Sequence, residues 1–192
     1  MNKQALNCLL AALLLVGGAA GSKAQELSKD LLLDFVNTRY HAYFHWNMCT
    51  FKNINSDEHF GRSTGKEPPS MWAPTGMDIE QWAQVVKQSR MAGGWLTTKH
   101  HGGFCLWDSQ YTDYDVASSP VKTDVVRVFV DTFRRHGLKV GLYYSILDYH
   151  HGIENSTVTP DKVEFLKNQI TELLTNYGPI DYINFDGWST WP

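Results

Sequence analysis

The chain has 192 residues, of which 43% are hydrophobic and 13% aromatic, and its formal net charge at neutral pH is -3. This length and apolar content are enough for one globular domain with a substantial core. The charge lacks the basic excess of nucleic-acid-binding surfaces, so we expect no nucleic-acid partner.

The first residues, "MNKQALNCLLAALLLVGGAAGSKAQ", have the layout of an export signal. An early Lys3 precedes an apolar run from Leu9 to Val16, and small residues lead to Ala24. The apolar run is shorter than the roughly 20 residues of a spanning helix. We therefore predict a signal peptide over residues 1–24, cleaved near Ala24, and an exported mature chain without a membrane span, either periplasmic, secreted or in a lysosomal-type lumen. Retention as a signal anchor is the alternative.

Cys49 and Cys105 remain in the predicted mature chain, and exported compartments permit disulfides. A bridge between them is possible but not implied by the sequence. The oligomeric state is likewise left open.

The first half of the mature chain begins a strand and helix alternation. "HAYFHW" reads as a strand, and a long connection from Cys49 to Thr75 leads to the helix "DIEQWAQVVKQSRM", capped by Asp78. "GGWLTTKHH" reads as the second strand, and the next helix is predicted to begin at an N-cap Thr123 and to close at Gly137.

The second half continues the same alternation. "LKVGLYYS" reads as a buried strand, and the next helix has Thr159 at its cap, Pro160 at its first position and Gly178 with Pro179 as its stop. "DYINFDG" reads as a fourth strand. Alternating elements with apolar strands predict an α/β fold with a parallel sheet, built from about four βα units.

Polar and aromatic residues follow the ends of the predicted strands. In parallel α/β sheets and barrels, catalytic groups collect at the carboxyl ends of the strands. The sequence therefore predicts a site there, formed by His45, Trp46, His100, His101, Tyr144 and Asp186.

Each of these groups also has a structural interpretation. His45 could be a core histidine whose ring nitrogens are hydrogen-bonded within the protein. His100 and His101 are adjacent, so both reach one pocket only if their strand ends or bends there. Four Trp residues could form the floor of a ligand site or fill the core, namely Trp46, Trp72, Trp107 and Trp188. Asp186 precedes Gly187, and this dipeptide also marks ordinary turns.

A metallohydrolase is a further alternative, because His and Asp are metal ligands. The sequence has no His-x-His or Cys-x-x-Cys, the spacings that would favour a metal site. We predict neither a metal nor another cofactor.

Four segments together resemble a known family. They are "YFHWN", "TTKHHGGFCLWDSQYTDYDV", "RRHGLKVGLYYS" and "FLKNQITELLTNYGPIDYINFDG", and they resemble the N-terminal half of an alpha-L-fucosidase of glycoside hydrolase family 29. The resemblance runs from about Tyr40 to the last residue. It implies a (β/α)8 barrel of the TIM type that acts on fucosylated glycans and hydrolyses terminal alpha-L-fucosides with retention of configuration.

The resemblance also implies residue roles. Asp186 corresponds to the nucleophile, and the fucose contacts correspond to His45, Trp46, His100 and His101. Tyr144 is expected as a further contact. Glu67, in "GRSTGKEPPSMW", is the expected contact from a loop to the sugar hydroxyls.

The sequence departs from the family pattern at several places. Gly102 stands where Asp is common, Asn184 where Trp is common, and "EHFG" at Glu58 to Gly61 where Glu-Trp-Gly is common. These differences leave the aglycone and linkage preferences open.

The length suggests that residues 25–192 form only an N-terminal part of the barrel, which typically takes about 250 residues. The acid/base carboxylate is then expected downstream. A partial barrel has exposed sheet edges, so we expect the isolated chain to self-associate and to be hydrolytically inactive. The alternative is a non-catalytic fucose-binding protein.

Overall fold

The computed structural model describes residues 29–51 and 63–187. The predicted signal peptide, Glu58 and Trp188 lie outside the described residues. The helices are α1 Lys29–Asn37, α2 Ile79–Gln88, α3 Val125–Arg135 and α4 Pro160–Thr175, and the strands are β1 His41–Phe44, β2 Gly93–Lys99, β3 Lys139–Ser145 and β4 Tyr182–Asp186. Short 3-10 helices cover Met48–Phe51, Pro69–Met71 and Val116–Ser118.

The four strands form one parallel sheet in the order β1-β2-β3-β4. The predicted α/β alternation and parallel pairing are therefore confirmed. Ser145 at the end of β3 pairs with Asp186 at the end of β4. Since successive side chains alternate between faces, paired residues and their neighbours at i ± 2 share one face of the sheet.

Three helices cover the same face of this sheet. Phe44 of β1 stacks on Trp82 of α2 at 4.8 Å between ring centroids, and it meets Phe129 and Phe133 of α3 edge-on at 5.7 Å. Tyr144 of β3 points to α4 on this side and is fully buried. The hydrophobic core lies between these helices and the sheet, and each buried Leu, Val or Phe there contributes roughly 1.5–3 kcal/mol.

The opposite face carries aromatic residues that the three helices do not cover. Trp95 stacks on Tyr182 at 5.7 Å, and Tyr43 of β1 is 48% exposed. Helix α1, which the sequence did not predict, places Phe35 edge-on against Tyr182 at 5.3 Å. None of the residues of α1 is buried.

The helix boundaries agree with the capping signals in most cases. The Asp78 carboxylate accepts from the Gln81 amide at 2.9 Å, as predicted. At α3 the N-cap is Asp124, whose carboxylate accepts from the Arg127 amide at 2.8 Å. The prediction of Thr123 was wrong by one residue, because the neighbouring carboxylate reaches the first-turn amide instead.

The glycine and proline signals are confirmed. Gly137 follows α3 with φ +71°, the left-handed conformation that ends many helices. Thr159 occupies the N-cap position of α4 without a side-chain capping hydrogen bond, and Pro160 is the first residue of the helix. Gly178, with φ +73°, lies just beyond the helix end.

Cys49 and Cys105 are both buried free thiols. Within residues 29–51 and 63–187, no helix combines the length and apolarity needed to cross a bilayer.

Candidate active site

A histidine and carboxylate cluster lies at the carboxyl ends of the strands. Ligand-type atoms of His100, His101 and Asp186 all lie within 4.8 Å of one another. The ring of His45, just after β1, meets His100 edge-on at 4.6 Å between centroids. The structure thus brings together four of the seven residues that the sequence singled out.

The end of β2 explains how two adjacent histidines share the cluster. The pairing of β2 with β3 is irregular between Thr97 and Lys99, and the strand ends at Lys99. Immediately afterwards, the rings of His100 and His101 stack at 4.2 Å with an interplanar angle of 24°. The strand therefore ends where the sequence analysis required it to end.

Asp186 is held by two hydrogen bonds while half of its side chain stays exposed. Its Oδ2 accepts from the Tyr143 hydroxyl, and its Oδ1 accepts from the Gly187 amide at 2.6 Å. Partial burial acts to raise the pKa of Asp186, but these hydrogen bonds and the nearby His101 and His100 together lower it below its ordinary value. The carboxylate is accordingly ionised at neutral pH.

Two hydroxyl groups orient the histidines. The Nδ1 of His101 lies 2.6 Å from the Ser145 Oγ, and its Nε2 lies 3.8 Å from the Asp186 Oδ2. The Nδ1 of His45 lies 3.1 Å from the Thr97 Oγ1. Burial lowers the pKa of His45 more than the nearby carboxylate raises it, so this imidazole is neutral at neutral pH.

A buried ion pair lies next to the cluster. Lys99 Nζ lies 3.0 Å from Asp148 Oδ2, and both side chains are fully buried. The other Asp148 oxygen accepts from the amide of His151 at 3.0 Å and lies 2.9 Å from its Nδ1. Lys99 also stands 4.4 Å above the Tyr144 ring. This network fixes the residue that immediately precedes the two histidines.

The turn after the histidines requires glycine. Gly103 has φ +93°, and a Cβ there would lie 2.2 Å from the Asp148 Oδ1. A Cβ on Gly102 would lie 2.2 Å from the Ser63 Oγ. The space that a larger residue would take at position 102 is therefore filled by the loop that carries Glu67.

Glu67 is a buried residue whose carboxylate is bound within its own loop. It accepts from the Ser63 hydroxyl at 2.6 Å, the Thr64 amide at 2.9 Å and the Thr64 hydroxyl at 3.0 Å. The loop packs against the turn after β2, since a Cβ on Gly65 would lie 2.9 Å from the Gly102 carbonyl oxygen. In this arrangement Glu67 braces the loop, and its contact with a sugar stays a prediction.

Two predicted ligand contacts lie on the helix side of the sheet. Trp46 packs against Trp72 at 4.6 Å and Trp82 at 5.4 Å in an aromatic cluster. Tyr144 is fully buried, and its hydroxyl donates to Gln169 Oε1 at 2.7 Å. The structure therefore does not join Trp46 or Tyr144 to the cluster around Asp186.

Tyr143 takes the position at the cluster that the sequence analysis assigned to Tyr144. The two tyrosines are neighbours on β3, so their side chains point to opposite faces. Pairing of Ser145 with Asp186 puts Tyr143 on the Asp186 face. Ser145 is the last residue of β3 and pairs with Asp186, so it lies on the same face as Asp186. Tyr143 lies two residues earlier in the strand and therefore shares that face.

The cluster could also offer ligand atoms to a metal ion through His100, His101 and Asp186. Structural zinc uses four ligands at about 2.0–2.3 Å, so the three groups would have to move closer together. Our expectation of a metal-independent site stays a prediction.

The family assignment comes from comparison with known proteins. The sequence profile described as Alpha-L-fucosidase matches residues 20–191. The chain belongs to the alpha-L-fucosidase family. The chain is 40% identical to Alpha-L-fucosidase 1 of Arabidopsis thaliana over 148 residues, which cover 76% of this chain and 28% of that protein.

Solved structures of the fucosidase family have similar folds. A glycoside hydrolase 29 family member from an unknown rumen bacterium has a TM-score of 0.73 and 37% identity, covering 83% of this chain and 28% of its own. The trapped covalent intermediate of a Bacteroides thetaiotaomicron alpha-L-fucosidase, formed with 2-fluoro-fucosyl fluoride in a Glu-to-Gln mutant, has a TM-score of 0.70 and 29% identity, covering 89% of this chain and 44% of its own. This chain therefore spans less than a third of the Arabidopsis relative and less than half of either structure.

Proposed function

We propose that this chain supplies the nucleophile and part of the sugar-binding site of a retaining alpha-L-fucosidase, with Asp186 as the nucleophile. One observation carries the proposal: a half-exposed carboxylate, held in its ionised form, stands among histidines at the carboxyl ends of parallel strands. Membership of the fucosidase family gives the reaction class.

The chemistry requires a carboxylate that can attack carbon. In a retaining glycosidase the nucleophile displaces the leaving group at the anomeric carbon, and water then hydrolyses the glycosyl-enzyme. The Tyr143 hydroxyl and Gly187 amide orient the Asp186 carboxylate for this attack. His45, His100 and His101 provide ring nitrogens that can exchange hydrogen bonds with the sugar hydroxyls.

The second carboxylate of the mechanism must lie roughly 5–5.5 Å from the first. The cluster of described residues contains one carboxylate, that of Asp186. The four buried carboxylates among the described residues are bound elsewhere: Asp148 to Lys99, Glu67 to its loop, Glu172 to the Trp107 indole, and Asp115 to backbone amides. We therefore propose that the acid/base residue lies outside the described part of the chain.

We further propose that the sheet is part of a (β/α)8 barrel. Helices α2, α3 and α4 all pack on one face, as in a barrel, whereas doubly wound sheets have helices on both faces. The sequential strand order supports the same interpretation. The aromatic face with Trp95 and Tyr182 would then line the barrel interior.

The proposed substrates are fucosylated glycans, and the proposed location is an exported compartment, on the evidence of residues 1–24 of the sequence. This proposal includes no nucleic-acid partner.

The experiment is calorimetric titration of the chain with fucose. We expect fucose to bind, and we expect His100→Ala and His101→Ala to weaken the affinity. His136→Ala is the matched control, because this histidine pairs with Glu80 at 2.6 Å on the helix surface. Both cluster histidines are buried, so the melting temperature is recorded for each variant.

The outcomes separate the alternatives. Weaker binding in the cluster variants at a nearly unchanged melting temperature supports the proposal. Unchanged affinity together with a large fall in melting temperature would make both histidines structural. Fucose binding by a chain whose Asp186 cannot be labelled covalently would instead favour the non-catalytic binding protein.

A further inference from the structure

The hydroxyl of Ser145 has three polar neighbours. Its Oγ lies 3.0 Å from the Leu147 carbonyl oxygen, 3.1 Å from the Leu147 amide nitrogen and 2.6 Å from the Nδ1 of His101. Ser145 is fully buried. Its donors and acceptors can therefore be assigned from the chemistry of these three neighbours.

The assignment follows from the single proton of the hydroxyl. A carbonyl oxygen can only accept, so the Ser145 proton points to Leu147 O. A backbone N–H can only donate, so it occupies one lone pair of Oγ. The remaining lone pair faces His101 Nδ1, which must then carry a proton. In a neutral imidazole with a proton on Nδ1, the Nε2 is an acceptor.

We propose that Ser145 is a positioning residue that fixes neutral His101 in its Nδ1–H form, so that Nε2 meets a substrate hydroxyl as an acceptor. The sheet register places Ser145 opposite Asp186, and the His101 Nε2 lies 3.8 Å from the Asp186 Oδ2. The ring thus presents its acceptor nitrogen at the edge of the nucleophile.

The consequence concerns a hydroxyl group placed between Nε2 and the carboxylate. It can donate its proton to the histidine, which leaves the carboxylate lone pairs of Asp186 available for attack. The Nε2–H tautomer of His101 would instead present a donor at this position. The substrate hydroxyl would then have to donate its proton to the Asp186 carboxylate. This consequence rests on the proposed function, whereas the protonation of Nδ1 does not.

The first experiment is solid-state 15N NMR of the histidine-labelled chain near neutral pH, which reports the tautomer whether or not the chain self-associates. His101→Gln identifies the His101 signals. We expect a pyrrole-type Nδ1 and a pyridine-type Nε2 for the neutral ring. A neutral ring with its proton on Nε2 would overturn the proposal, and so would a doubly protonated ring, because its Nε2 carries a proton and cannot accept.

The role of Ser145 is tested with Ser145→Ala. We expect the Nδ1–H form to lose its preference in this variant. The control is Ser119→Ala, which removes a buried hydroxyl that bonds only backbone carbonyls of Val116 and Val121 in the described structure and should leave the His101 spectrum unchanged. An unchanged tautomer in Ser145→Ala would refute the positioning role.

Fucose titration adds the link to the ligand. Loss of one oriented hydrogen bond should weaken fucose binding in Ser145→Ala by about 2- to 10-fold. In a His101→Gln background the same substitution should cause no further loss, because its effect passes through the imidazole. An equal loss in both backgrounds would contradict the proposal. The predicted tautomer in a chain that does not bind fucose would refute the proposed function and leave the assignment of Nδ1 intact.

Discussion

Replacement of Lys99 by Met should be among the most destabilising single changes in this chain. Lys99 and Asp148 form an ion pair at 3.0 Å, and both side chains are fully buried. Lys99→Met keeps most of the apolar volume but leaves the Asp148 carboxylate without its lysine. Breaking one side of a buried pair typically costs about 3–5 kcal/mol, because an uncompensated charge remains inside.

The measurement is urea denaturation followed by tryptophan fluorescence at neutral pH. The matched control is Lys139→Met, in which the partially exposed lysine loses its surface pairing with Asp34 at 2.8 Å. Exposed pairs contribute about 0–1 kcal/mol. The two Lys-to-Met substitutions should therefore differ by at least about 2 kcal/mol in free energy of unfolding.

The pH dependence gives a second signature of the same pair. Burial acts to raise the pKa of Asp148, but Lys99 and then His151 bring it well below its ordinary value. In the wild type this stabilisation is present above the unfolded carboxyl pKa and is lost as the pH falls through the lower folded value.

In Lys99→Met the burial effect raises the folded pKa of Asp148, so the carboxyl becomes neutral at higher pH. The destabilisation should therefore be largest near neutral pH and shrink in acid. A loss below about 1 kcal/mol at neutral pH, or a loss that does not change with pH, would refute this reasoning.

Two further substitutions have matched controls in the sequence. Tyr143→Phe should raise the pKa of Asp186 and move the acid limb of the pH profile of its covalent labelling rate to higher pH. Tyr144→Phe should leave that limb unchanged and lower the free energy of unfolding by about 1 kcal/mol. An equal shift of the limb in both variants would contradict the assignment of the two tyrosines to opposite faces. Gly103→Ala should lower the melting temperature, because a left-handed alanine costs about 1–2 kcal/mol before its collision with Asp148. Gly76→Ala has open space around its Cβ, and an equal fall there would remove the steric explanation.

The arrangement of the strands could be predicted from sequence because local patterns agree with tertiary packing. Apolar runs end at polar residues, and capping residues such as Asp78 and Thr159 mark where helices begin. The same reasoning predicted that His100 and His101 lie close to Asp186, because the carboxyl ends of parallel strands meet at one edge of the sheet.

Side-chain direction was harder to predict than position along the chain. Tyr143 and Tyr144 are chemically identical neighbours, and only the pairing of β3 with β4 decides which one faces Asp186. Trp46 directly follows His45, yet it packs into the aromatic cluster on the helix side. Helix α1 was not predicted, and none of its residues is buried.

Contacts between loops that are distant in the sequence could not be predicted either. The Ser63 and Glu67 pair lies beside Gly102, and Asp148 reaches Lys99 across 49 residues of sequence. Their positions depend on turns whose conformation follows from three-dimensional packing. Sequence spacing alone therefore could not show which acidic residue near the cluster is the nucleophile and which ones have a structural role.

The most direct test of the account is covalent labelling of Asp186 by 2-fluoro-fucosyl fluoride, read by peptide mass spectrometry. Fluoride departs without protonation, so the label reports the nucleophile even where the acid/base residue is absent. The carboxylate oxygen forms a bond to the anomeric carbon while the C–F bond breaks and fluoride leaves with the electron pair. We expect one fluorofucosyl group on the peptide that contains Asp186, its loss in Asp186→Asn, and its retention in Asp181→Asn, a substitution immediately before the same strand. A label on another carboxylate, or none in a chain that binds fucose, would contradict the assignment of Asp186 as the nucleophile.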